Sequence, residues 1–268
     1  MQLFGKDLVR EVAIVAEIGV NHEGDVEVAS RLLALAAKSG ADAVKFQSYT
    51  PARFVSAADP ERLARVSRFA LDEDALRRLA GEALEHGVAF FSAAISEDWV
   101  PLIARLGAAI KIASGDLDFE PVIRAAARCG KPVILSTGLG TTDEIDRAVS
   151  WIIEESGTTA LADRLVLMQC VSAYPTPLEE AGVASVPYLA ERYGVPVGYS
   201  NHVIGTAACI AAIALGACLV EVYFTDRKEG RSFRDHQLSI EPAEFAELAR
   251  IVGPLKAAAL PCRLWRWL

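Results

Sequence analysis

Only four histidines and two methionines occur in 268 residues, and the five cysteines (Cys129, Cys170, Cys209, Cys218 and Cys262) lie far apart with no CxxC among them. An odd, scattered cysteine set argues against a disulfide framework or a CxxC metal or redox motif, and is read as buried, reduced thiols of a cytoplasmic protein. No uninterrupted apolar run reaches the length of about 18 residues that a membrane span needs. The opening "MQLFGKDLVREV" is charged and has no apolar core of a secretory leader. Positive charge is scarce too: 27 Lys and Arg against 35 Asp and Glu leave a net −8. That balance argues against nucleic acid as a partner, because a nucleic-acid binder shows a basic face. An anionic ligand would have to be held by a few local cations. No GxGxxG follows the first apolar run, which weakens a dinucleotide-binding reading.

What is present is apolar and regularly punctuated. Hydrophobic residues make up 52% and charged residues 23% of the chain, enough for a large core. Short β-branched runs alternate with amphipathic stretches: "EVAIVAEIG", "ADAVKFQS", "VAFFSAA", "AAIKIAS", "KPVILSTG", "RLVLMQCVS", "VPVGYS" and "ACLVEVYFT", with helix-closing glycines recurring just before the next strand. Alternation of this kind predicts a parallel sheet. Eight units predict an α/β fold of one closed (β/α)8 TIM barrel over residues 1–268. Residues 1–11 are expected to form a hairpin or plug at the barrel's bottom, and 258–268 a C-terminal tail. In that tail Trp265 and Trp267 read as surface or dimer-packing groups. The long second loop, "YTPARFVSAADPERLARVSRFAL", reads as a lid.

Barrel sites sit where strands end and loops begin, so polar residues there carry the most weight. Glu17 ends the first strand, with Asn21, His22 and Glu23 beyond it. Lys45 and Gln47 share a face of the second strand. Lys111 and Ser114 end the fourth, Ser136 and Thr137 the fifth, Ser172 and Tyr174 the sixth, Ser200 and His202 the seventh. Glu221 and Tyr223 lie in the eighth. A lysine flanked by Val44 and Phe46, or by Ile110 and Ile112, is costly to bury unless it meets an anion. That anion can be a core glutamate such as Glu17 or Glu221, or a bound phosphate or carboxylate. A Schiff-base aldolase would also place a lysine there. Backbone N–H groups and hydroxyls of "LSTGLGTTDE" are expected to add an anion nest.

The stretches "AEIGVNHEGD", "GADAVKFQS", "KIASGD", "GKPVILSTG", "CVSAYPTP" and "VPVGYSNH", in this order over about residues 12–250, resemble the N-acetylneuraminate (sialic acid) synthase family. The resemblance implies an enzyme, a C–C bond-forming transferase that condenses phosphoenolpyruvate with an aldehyde sugar to give a 2-keto-3-deoxy acid and phosphate. It implies phosphoenolpyruvate binding by Lys45, Lys111, Ser114, Ser136 and Ser200, and Glu17 as the acid beside the reacting carbons. Gln47, Tyr174 and Asp235 would contact the sugar. It also implies a divalent metal, Mn²⁺ or Mg²⁺, with His202 as one of two histidine ligands, and a homodimer.

Departures from the family pattern are equally specific. Tyr223, in "EVYFT", stands where the second metal histidine is expected, and a neutral phenol is a poor ligand for such a cation. That leaves Tyr223, His236 or Glu17 as the candidate partner of His202. Asn201 replaces an aspartate, and Ala93 a hydroxyl residue. Family members usually continue into a small antifreeze-like domain that supplies an arginine to the partner's sugar site; this sequence ends in "CRLWRWL". In compensation, Arg231 and Arg234 of the eighth loop, "TDRKEGRSFRDHQ", are expected to read a non-standard, anionic acceptor. His22 is expected to order the first loop. The same departures would suit a non-catalytic relative that binds phosphoenolpyruvate or a sugar acid without turning it over.

Overall fold

A computed structural model describes residues 1–157 and 161–259; Trp265, Trp267, Cys262 and most of the expected tail lie outside them. The chain opens on an antiparallel hairpin, β1 (Gln2–Leu3) and β2 (Lys6–Asp7). Eight parallel strands follow: β3 (Ala13–Gly19), β4 (Ala43–Ser48), β5 (Ala89–Ala94), β6 (Ile110–Ile112), β7 (Val133–Ser136), β8 (Leu165–Gln169), β9 (Val197–Asn201) and β10 (Leu219–Tyr223). They close in the order β10-β3-β4-β5-β6-β7-β8-β9, the (β/α)8 barrel expected from the alternation.

Helices α1 (Val26–Lys38), α2 (Pro51–Phe54), α3 (Pro60–Phe69), α4 (Glu73–Glu85), α5 (Val100–Leu106), α6 (Glu120–Arg128), α7 (Thr142–Ser156), α8 (Ser185–Tyr193), α9 (Ala207–Ala214), α10 (Arg234–Leu238) and α11 (Pro242–Ala259) fill the connections. Their ends follow local chemistry. The Asp25 side chain accepts from the N–H groups of Glu27 and Val28 to start α1, and Thr141 and Glu144 form a reciprocal capping box on α7. Helix α8 is shorter than its periodic sequence suggests. A 3-10 turn at Leu178–Glu180 ends before Gly182, whose φ of +62° stops the helix from running through.

Period-two alternation sorts the strands into two cores. Ile14, Ala16, Ile18, Val44 and Phe46 face the helices. Ala13, Val15, Ala43, Phe91, Ile134, Val166, Met168 and Leu219 fill the barrel. Each fully buried aliphatic or aromatic side chain of this kind contributes about 1.5–3 kcal/mol. Leu3 and Leu8 of the hairpin region join the inner core, and the Phe4 ring lies 4.9 Å from that of Phe91. Residues 1–11 thus lie against the interior from its apolar end.

The second loop covers the opposite end. Tyr49 donates its hydroxyl proton to the Val66 carbonyl at 3.1 Å, and Phe69 meets Phe233 of the eighth loop edge-on at 5.1 Å. On the other flank the backbone of α3 rests against the first loop. A Cβ on Gly24, whose φ is +89°, would stand 2.0 Å from the Arg68 carbonyl oxygen. Among the described residues no helix is long and apolar enough to cross a membrane, and Cys129, Cys170, Cys209 and Cys218 are free thiols.

Candidate active site

The face that is apolar low in the barrel turns polar at its C-terminal end. Ala13 and Val15 give way to Glu17 on β3, Ala43 to Lys45 and Gln47 on β4, Ile134 to Ser136 on β7, and Leu219 to Glu221 and Tyr223 on β10. Lys111 and Ser200 join from β6 and β9. Together they line a cavity of about 1190 Å³ roofed by α2 and α3.

The floor is a buried charge network. Lys45 Nζ donates to Glu221 Oε1 at 2.7 Å and lies 3.3 Å from Glu17 Oε2. Lys111 Nζ reaches the same Glu221 oxygen at 3.4 Å, and the Ser200 hydroxyl donates to it at 3.0 Å. Gln47 Nε2 donates to Glu17 Oε1 at 3.2 Å. In this state the strand lysines therefore meet core glutamates. The two carboxylates are not equivalent. Burial, opposed by Lys45 and reinforced by Glu221, lifts Glu17 to about 7. Glu221 is also buried, but Lys111 and Lys45 outweigh that burial and hold it down at about 2. Burial alone would lower Lys45, yet Glu17 and Glu221 raise it above the ordinary lysine value; burial lowers Lys111. With Glu17 carrying a proton, two ammonium groups face one carboxylate and the floor has a net positive charge.

The adjoining wall comes from β6, β7 and β8. Ser114 Oγ accepts from the Gly138 N–H at 3.1 Å and lies 3.0 Å from Cys170 Sγ. Gly138 is required there, because a Cβ would fall 2.7–2.9 Å from Ser172 Oγ, Ser114 Oγ and Cys170 Sγ. Ser136 Oγ is buried and has no hydrogen-bond partner. Three backbone donors of the turn expected to form an anion nest are already engaged: the Thr137 N–H by the Met168 carbonyl, the Gly138 N–H by Ser114 Oγ and the Gly140 N–H by the Thr137 carbonyl.

A cluster of rings stands opposite. His202 donates its Nδ1 proton to the Val171 carbonyl, which fixes the neutral tautomer and leaves Nε2 as an acceptor. Burial holds this imidazole down at about 4. Tyr174 packs 4.2 Å from it and Tyr223 5.8 Å, centroid to centroid. Burial and then the nearby Glu17 push the Tyr223 phenol well above its usual value, so it stays a neutral donor. Asn201 has a local role. Its amide donates to the carbonyls of Val203 (2.8 Å) and Gly205 (3.0 Å), bracing the turn beyond His202. An aspartate could not make those two bonds. His22, as expected, orders the first loop, accepting from the Gly24 N–H at 3.0 Å.

These donors do not fit a resident divalent cation. Such an ion needs several anionic or neutral lone-pair donors converging on one point. Here the lysines occupy Glu17 and Glu221, and Tyr223 is a neutral phenol. His202 Nε2 and the second oxygens of Glu17 and Glu221, which accept no hydrogen bond, are left, and both carboxylates are already held by ammonium groups. Among the described residues no group of three or more His, Cys, Asp and Glu side chains could hold a metal. His236 does not supply the missing ligand: it does not line the cavity, its Nδ1 lies 2.7 Å from Thr225 Oγ1, and its Nε2 lies 3.3 Å from Oε1 of Glu23, which does line it.

At the mouth the two arginines expected from the eighth loop part company. Arg234 lines the cavity, its guanidinium 5.2 Å from the Tyr174 ring and its Nε 3.1 Å from Asp235 Oδ1. Arg231 is drawn off into Asp226, at 2.8 and 2.9 Å, and lies 3.8 Å from Glu23. Residues that sequence reading passed over take its place: Arg53, Arg62, Arg65 and Arg68 of the lid, and Asp116, whose carboxyl burial lifts to about 7. The three-residue spacing of Arg62, Arg65 and Arg68 was the available signal.

Comparison with known proteins places this arrangement. The NeuB family profile matches residues 32–259. An uncharacterized protein of Methanocaldococcus jannaschii is 38% identical over 236 residues, covering 88% of this chain and 68% of that protein. The N,N'-diacetyllegionaminic acid synthase of Campylobacter jejuni is 34% identical over 264 residues, covering 93% of this chain and 78% of that enzyme. The crystal structure of N-acetylneuraminic acid (sialic acid) synthetase from Leptospira borgpetersenii superposes with a TM-score of 0.88 at 29% identity, covering 95% of this chain and 87% of that one.

Proposed function

We propose, from the premise that this chain belongs to the NeuB family, that it condenses phosphoenolpyruvate with an aldehyde sugar to give a 2-keto-3-deoxy acid and inorganic phosphate. The observation that carries this reading is the floor: two buried lysines share one glutamate beside the unpartnered Ser136 hydroxyl. That arrangement is neutralised without a ligand and becomes cationic once Glu17 is protonated, which suits a small polyanion. Phosphoenolpyruvate would take Lys45, Lys111, Ser114, Ser136 and Ser200. The acceptor would sit above it against Gln47, Tyr174 and Asp235.

The chain's own groups then divide the work. C3 of phosphoenolpyruvate bonds to the aldehyde carbon while the C=O electron pair moves onto the aldehyde oxygen. Tyr223 donates a hydrogen bond to that oxygen as it gains charge, and His202 Nε2 accepts one from a sugar hydroxyl. Water adds at C2, Glu17 taking its proton. The alkoxide is protonated, and the C2 hemiketal loses phosphate as its C–O(P) bond breaks and the ketone forms. One water is consumed, one of its protons ending on the new hydroxyl and the other on phosphate. None of these steps is routed through a metal, because the donor set does not fit one.

Incubation with phosphoenolpyruvate and a panel of aldoses, with EDTA and with added Mn²⁺, tests the reading by release of inorganic phosphate. Release that depends on the aldose supports it. Tight phosphoenolpyruvate binding with no release from any acceptor would establish the non-catalytic alternative. A borohydride-trapped adduct of a keto acid on Lys45 or Lys111 would point to Schiff-base chemistry.

A further inference from the structure

The cavity holds more than the floor uses. A volume of about 1190 Å³ exceeds what phosphoenolpyruvate and a bare aldehyde require, and its outer wall is basic in a chain of net charge −8. Helix α3 carries Arg62, Arg65 and Arg68 at three-residue spacing, which spreads them over one flank of the helix. All three line the cavity. Other mouth arginines are neutralised: Arg53 by Glu97 and Asp98, Arg234 by Asp235. Arg62, Arg65 and Arg68 have no carboxylate within ion-pair distance among the described residues. Instead, the Arg62 guanidinium lies 5.6 Å from the Phe54 ring and that of Arg68 4.9 Å from the Phe69 ring, contacts that steady a planar cation and leave its N–H fork available. The helix is also anchored on both sides, by Gly24 against Arg68 and by Phe69 against Phe233.

We propose that Arg62, Arg65 and Arg68 form an anion subsite for the acceptor, so that the sugar this protein takes carries a phosphate or carboxylate remote from its aldehyde. This rests on the synthase reading for the identity of the ligand as an acceptor, and it relocates the anion-reading role from Arg231, which Asp226 occupies, to the lid. Guanidinium forks bind both anions in the same bidentate way. Two buried lysines below and three arginines above make two separate anion sites in one cavity, with the uncharged part of the sugar between them.

Isothermal titration of the full chain without phosphoenolpyruvate, so that no turnover contributes heat, separates the possibilities. The probes are N-acetylmannosamine 6-phosphate, N-acetylmannosaminuronate and neutral N-acetylmannosamine. The wild type is expected to bind one charged probe at least about tenfold more tightly than the neutral one, the two arms telling phosphate from carboxylate. Arg62→Ala combined with Arg65→Ala should bring that preference to within about twofold, and Arg65→Lys should retain part of it. Unfolding curves and light scattering accompany each variant. Equal binding of all three probes by the wild type, or a preference untouched by the double variant, overturns the proposal. So does a change of assembly state with the preference intact, which would make the arginines a subunit contact. The preference is read from binding. Absence of phosphate release from every aldose would therefore sink the synthase reading without deciding whether the lid holds an anion.

Discussion

Lys45 and Glu221, 176 positions apart in the chain, meet at 2.7 Å under the cavity, reaching past β3, the strand that lies between theirs. Both are almost fully buried. Removing the ammonium strands Glu221 and Glu17 on Lys111 alone. Lys45→Met should therefore lower the unfolding free energy by about 3–5 kcal/mol in urea titration, as expected for a broken buried pair. It should also abolish phosphoenolpyruvate binding. A variant within about 1 kcal/mol of wild type would mean the network is not structural.

Glu17 gives a pH signature. Its carboxyl titrates near 7 in the folded chain against 4.5 when unperturbed, so between those values the native state holds more of this proton than the unfolded state. Its contribution to stability is then present at low pH and lost as pH rises from 4.5 through 7. Glu17→Gln should remove that decline. In kcat at saturating phosphoenolpyruvate the wild type should show an acid limb, activity rising as Glu17 deprotonates and can take the water proton, and the variant should lack it. A limb that survives in Glu17→Gln belongs to another group.

Tyr223 separates hydrogen-bond donation from metal chemistry. Tyr223→Phe should cut kcat by about 10²–10³, the cost of losing one preorganised donor to a developing oxyanion, with little change in phosphoenolpyruvate KM. Tyr223→His places a second imidazole beside His202 and should confer Mn²⁺ binding, read by calorimetry, that the wild type lacks. Full wild-type kcat in Tyr223→Phe would remove the phenol from the mechanism.

Asn201→Asp tests the turn that presents His202. It exchanges two donors to carbonyl oxygens for a carboxylate facing the same oxygens, a loss of about 1–3 kcal/mol. Thermal unfolding should detect it, and acceptor KM should rise as His202 shifts. Unchanged stability would show that the turn holds without the amide.

The barrel and its polar collar were legible because a strand's period of two leaves no freedom. Once Val15 and Ala43 face inward, Glu17 and Lys45 must as well. Loop chemistry was not legible in the same way. Arg231 and Arg234 are three residues apart, yet Asp226 captures one and Tyr174 stacks beside the other, an outcome set by the path of the eighth loop. His236 is one residue from Asp235 and is turned away to Thr225 and Glu23. Three N–H groups of the expected anion nest are held by two carbonyls and the Ser114 hydroxyl, partners that a glycine-rich motif does not disclose. The lid arginines went unread because an exposed basic helix flank has the same pattern whether it faces solvent or roofs a cavity.

The floor network also bears on how the barrel is completed. Its members come from β3, β4, β6, β9 and β10, and the Lys45–Glu221 contact spans most of the chain. A half-barrel ending after β6 would expose both lysines with only Glu17 to answer them. Correct lysine charge pairing is thus a late event, complete only when β10 docks against β3 and joins the last strand to the first. A chain cut before β10 would keep most of the apolar core yet lack Glu221, so a balanced floor is present only where the ring has closed.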